Sequence, residues 1–152
     1  MTAALCFDGL EDERLVEAAK PFLAAYPKIE SWCAYGDIAE RTLAIAVGRH
    51  HGSHPEPPDH ESLDAEQATA IADRGVELLA RAGFTAIART LAGRDPGHAL
   101  AHATRPDVVL LIAAGHREES GPRSVGHIAR FVIDHAKGPV FVLRLALLER
   151  MR

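Results

Sequence analysis

Nine histidines in 152 residues are the first chemistry the sequence offers. Imidazole suits zinc, copper or nickel, and four of the nine, His50, His51, His54 and His60, crowd one short stretch with three prolines. Structural zinc sites of familiar kinds use defined ligand spacings, often with cysteine. Neither Cys6 nor Cys33 lies near this stretch. Ordering a Pro-rich loop around an ion also costs chain entropy. The expectation is a solvated connector over residues 48–63 and no resident metal, with those four histidines as the only metal candidates. His98 and His102 stand four apart, a surface pair on one helix face. Ser124, His127 and Asp134 hold the residue types of a nucleophilic triad. No Gly-x-Ser-x-Gly elbow, Walker lysine motif or Cys-x-x-Cys accompanies them. No catalytic residue is therefore assigned.

The elements that position these groups follow from hydrophobic periodicity. Ala3 to Phe7 reads as a strand ending at the turn Asp8-Gly9. Leu15, Ala19, Phe22 and Tyr26 share one face of a helix whose first turn holds Glu11, Asp12 and Glu13, where acids suit the dipole. Pro21 within it predicts a kink or an early end. Lys28 to Tyr35 is a second strand, and Asp37 to Val47 fits either a short helix or a strand. Asp64 with Gln67 forms the pattern of a capping box, opening a helix that Gly83 stops. Phe84 to Leu91 is a third strand. Asp95-Pro96 reads as an N-cap and first helical residue of a short helix to Ala103. Val108 to Ala113 is apolar throughout, as a strand covered on both faces must be. A polar loop, Gly115 to Ser124, leads to a helix lined by Ile128, Phe131, Val132 and His135. Val140 to Ala146 is the last strand, and Leu147 to Arg152 a tail.

Strand and helix alternate five times, which predicts one α/β domain over residues 1–152: an open parallel sheet of five strands with helices on both faces. Ligands of such sheets bind beyond the carboxyl ends of the strands. Three segments, taken in order, resemble the universal stress protein family. Asp8-Gly9 resembles its Asp-Gly-Ser turn, and Gly93-Arg-Asp95-Pro96 its Gly-Asp-Pro turn. The run from Gly126-His-Ile through Asp134-His-Ala to Gly138-Pro-Val resembles its closing helix and strand. The resemblance implies strand order 3-2-1-4-5 and a homodimer through the last strand. It also implies an adenine-nucleotide site at Asp8, Ala34, Ala113, His116, Gly126, His127 and Ile128.

Nucleotide-binding members carry Gly-x2-Gly-x9-Gly-Ser/Thr before the last helix, because glycine lets backbone N–H groups approach phosphate. Counted back from Gly126, the first two glycine positions hold Ala113 and His116, and the hydroxyl position holds His127. Gly115 and Gly121 are out of register. The resemblance thus implies a regulatory or binding module in stress response whose binding of ATP or AMP is weakened or lapsed. The alternative is an ATP-binding switch or slow ATPase.

Composition narrows the remaining choices. Apolar residues make up 47% and charged residues 25%, with 21 acids against 17 bases and a net charge of −4. That balance gives no general attraction to nucleic acid or to anionic lipid. The longest apolar run falls far short of the ~20 residues a spanning helix needs. Two cysteines are too few for a disulfide framework. A cytoplasmic protein without a secretory leader is expected, acting through itself and an unidentified protein partner.

Overall fold

The computed structural model describes residues 1–37, 63–114 and 125–145. The elements run β1 (Thr2–Cys6), α1 (Asp12–Leu23), β2 (Lys28–Gly36), α2 (Ala65–Arg81), β3 (Ala86–Gly93), α3 (Pro96–Ala103), β4 (Val108–Ala113), α4 (His127–His135) and β5 (Val140–Leu143). The sheet is five-stranded and parallel throughout, in the order β3-β2-β1-β4-β5. Fold class and strand order are those expected. The histidines His50, His51, His54, His60 and His116, the segment 38–47, the loop 115–124 with Ser124, and the tail 147–152 lie outside the described residues.

β1 sits at the centre, pairing Ala4 with Glu30 of β2 on one side and with Leu110 of β4 on the other. Successive strand residues face opposite ways, so β1 and β4 divide their side chains between two cores. Ala3, Leu5, Val109 and Leu111 meet Leu15, Ala19 and Leu23 of α1 with Leu78 and Leu79 of α2. Ala4, Trp32, Leu110 and Ile112 meet Ala99 and Leu100 of α3 with Ala129 and Val132 of α4. Each fully buried Leu, Val or Phe side chain contributes on the order of 1.5–3 kcal/mol. A layer of two helices on each face therefore follows from the strand alternation.

Local signals place the ends of these elements. Asp64 and Gln67 form a reciprocal capping box at the start of α2. Asp95 caps α3 through the His98 N–H at 2.9 Å, with Pro96 next. α1 ends at Leu23, two residues past Pro21 and short of Tyr26, which is the early end that Pro21 predicts. Its ring lacks the N–H that would bond back into the helix and crowds the carbonyl four residues earlier, so the helix closes within a turn of it. Phe22, expected on the buried face with Leu15 and Ala19, is 41% exposed. β3 begins and ends two residues later than hydrophobicity predicts, and β5 stops at Leu143.

Candidate functional site

In the order found, the strand order reverses between β1 and β4, and it is at such a switch point, beyond the strands' carboxyl ends, that open parallel sheets take ligands. Leu5 pairs with Leu111, and Cys6 with Trp32, so the segments leaving β1, β2 and β4 emerge side by side. Asp8 and Gly9 follow β1, Ala34 lies near the end of β2, and Ala113 ends β4. Gly126, His127 and Ile128 open α4.

These positions are not equivalent. Asp8 and His127 are exposed, whereas Ala34 is 6% exposed and packs with Trp32 and Leu91. Ala113 is half-buried against the opposite core, and Ile128 packs on the core beneath α4. Asp8 and His127 thus stand exposed beyond the strands, while Ala34, Ala113 and Ile128 are packed against the two cores. Gly126 is the N-cap of α4 with φ 82° and ψ 156°, a conformation essentially restricted to glycine. Among the described residues no side chain caps this helix. Its first-turn N–H groups are the donors a helix start presents to an anion.

Asp8 shapes the other wall. Its Oδ1 accepts the Leu10 N–H at 2.8 Å, closing an Asx-type turn. Asp12, the first residue of α1, folds beneath this turn and accepts the Gly9 N–H on Oδ2 at 3.1 Å. Asp12 is only 5% exposed, and its Oδ1 is buried with no hydrogen-bond partner among the described residues. Burial and then the Asp8 charge push its carboxyl up to about 6, against the backbone N–H groups of Asp8 and Gly9 and the Arg74 charge. The sequence pattern assigns Asp12 only to a helix first turn; the signal missed is an acid four residues after an Asp-Gly turn.

Cys6 and Cys33 are free thiols, Cys6 packed against the core beneath α3 and α4 and Cys33 buried against Ala68 and Ala72 of α2. Burial, then neighbouring acids and thiol, pushes Cys6 well up, and burial with Asp12 and Asp8 pushes Cys33 up to about 12. Both stay protonated at neutral pH and serve as small core groups rather than nucleophiles. Among the described residues, no group of three or more His, Cys, Asp or Glu side chains is arranged to hold a metal ion. Ser124 lies outside the described residues, so no triad with His127 and Asp134 is assembled from them. His98 and His102 share a face of α3, but His98 Nδ1 is engaged by Asp95 Oδ2 at 2.6 Å. Among the described residues no helix is long and apolar enough to cross a membrane. No protein-family model matches the chain, and no curated protein matches it either.

Proposed function

We propose that the chain is a binding or regulatory module of the universal stress protein type, in which adenine-nucleotide binding at the strand-end crevice is weakened. The observation that carries this reading is the switch point between β1 and β4, flanked by Asp8 and by the glycine-capped start of α4. That is where an open parallel sheet takes its ligand. By the resemblance, Asp8 would meet the adenine or ribose end, and the Gly126–Ile128 amides the phosphates.

Weakening follows from side-chain bulk and donor count. A phosphate cradle needs converging backbone amides, and glycine serves because no Cβ intervenes. His127 takes the place of a compact hydroxyl, and His116 the place of a glycine. A neutral imidazole offers a single donor. The module would work as a homodimer in the cytoplasm, reading out to a protein partner rather than turning over substrate.

Calorimetry with ATP tests the reading. The natural chain should bind ATP weakly or undetectably, and His116→Gly combined with His127→Ser should raise affinity by at least about tenfold, or ~1.4 kcal/mol. Tight binding by the natural chain would favour the ATP-dependent switch instead. Loss of binding in the double variant would overturn the weakened-cradle reading.

A further inference from the structure

A second concavity lies on the other side of the molecule's α3 layer, along the edge strand β3. It has a volume of about 350 Å³ and is lined by Arg89, Leu91, Ala99, His102, Ala103 and Arg105, among others. Among the described residues no acidic side chain lines it, in a chain whose net charge is −4. Its volume falls in the range of roughly 300–1,000 Å³ typical of small-molecule sites. Its position, toward the C-terminal end of α3, separates it from the strand-end crevice.

The two guanidiniums are held in place from behind. Arg89 lies over the Trp32 ring at 5.3 Å and reaches Glu30 Oε2 at 3.5 Å. Glu30 is itself 3% exposed, and accepts from Trp32 Nε1 at 2.7 Å and from Lys28 Nζ at 3.0 Å. Burial alone would raise the Glu30 carboxyl, but those hydrogen bonds and the Lys28 and Arg89 charges hold it below its ordinary value. A buried carboxylate thus anchors Arg89, whose side chain stays 41% exposed. Arg105 is steadied by Asp107 at 3.3 Å, in a loop tied by its carbonyl to the Val108 N–H at 3.0 Å.

We propose that this groove binds a small organic anion, a carboxylate or a phosphate ester with a short apolar body, between Arg89 and Arg105. Each planar guanidinium fork can meet two oxygens of such a head group. Ala99, Ala103 and Leu91 leave room for the apolar part. The C-terminal dipole of α3, equivalent to about half a negative charge, opposes an anion, and the cluster of Lys28, Arg89 and Arg105 with the Glu30 and Asp107 carboxylates keeps a positive balance against it. A single exposed Arg would contribute little after screening; the site depends on both walls acting together.

The chain's only tryptophan, Trp32, stacks against Arg89 and reports on the site. Titrating the natural chain with citrate and with inorganic phosphate at constant ionic strength should change Trp32 emission saturably, with Kd about 1 mM or tighter for one of them. The tighter of the two identifies the head group. Arg105→Gln, which leaves Trp32 and its contacts in place, should weaken binding at least about tenfold. Lys20→Gln, which removes the same charge on α1, should leave it unchanged. The proposal is overturned if neither anion gives a saturable change in emission or a heat of binding up to about 10 mM. It is equally overturned if Arg105→Gln binds as well as the natural chain, or if Lys20→Gln weakens binding as much as Arg105→Gln does.

Discussion

Asp12 and Glu30 are buried carboxylates whose environments push them in opposite directions, and stability should record both. Burial, and then the charge of Asp8 beside it, raises the Asp12 carboxyl from 3.8 to about 6. Between about pH 4 and pH 6 the folded chain then holds more of a proton at Asp12 than the unfolded chain does. Stability contributed by this group therefore falls as pH rises through that window. Glu30 works the other way, because its cations and the Trp32 N–H favour the charged form. Its stabilisation is present above its ordinary value of 4.5 and is lost as pH falls through the lower folded value. Asp12→Asn should remove the first slope and leave the second. The difference in unfolding free energy between natural and variant chains should shift by about 1–2 kcal/mol from pH 4 to pH 7, after allowance for solvent screening. Denaturant melts at several pH values measure it, and parallel curves for the two chains would show that Asp12 is not perturbed.

At the scale of elements, close approach of α2 to the sheet decides one substitution against its own helix propensity. Gly75 lies in the middle of α2, where alanine would ordinarily gain about 1 kcal/mol. A Cβ there would stand 2.2 Å from Ser31 Oγ and 2.6 Å from the Phe7 ring. Phe7 is 1% exposed and Ser31 is held by the Ala72 carbonyl at 2.7 Å, so neither can simply turn aside. Overpacking costs about 1–3 kcal/mol or more, and Gly75→Ala should therefore lower stability, seen as a reduced denaturation midpoint with unchanged slope. An increased midpoint would show that α2 shifts outward freely. The need for glycine here was not legible in the sequence, because the clash belongs to residues 44 and 68 positions away. What was legible rests on local rules. The Asp64–Gln67 box, Asp95-Pro96 and the unbroken apolar run Val108–Ala113 each carry their structure within a few residues. The exposed Phe22 escaped, because what the last turn of a helix faces is set by packing.

The whole molecule presents two sheet edges, β3 and β5, and they differ in how they discourage pairing. β3 carries Arg89 among its exposed residues, the kind of charge that blunts an edge. β5 carries none within Val140–Leu143; instead Phe141, 40% exposed, meets Phe22 of α1, 41% exposed, with ring centroids 5.6 Å apart. Two adjacent aromatic rings beside an apolar edge form a self-complementary patch of the kind a two-fold axis can cover. The candidate crevice was legible to the same limited depth: Asp8 and Gly126 fall where the turn and helix-start patterns put them, while the packing that removes Ala34 and the Oδ1 of Asp12 from solvent arises between distant elements. For assembly, the prediction is a homodimer joined across β5. Light scattering should give twice the chain mass of 16.4 kDa at micromolar concentration. Phe141→Glu would set two like charges across the axis and desolvate both, and it should shift the mass to that of one chain while circular dichroism stays unchanged. Arg89→Glu, altering the opposite edge, should leave the dimer intact. A natural chain that scatters as a monomer, or a dimer that survives Phe141→Glu and dissolves with Arg89→Glu, would place the contact elsewhere.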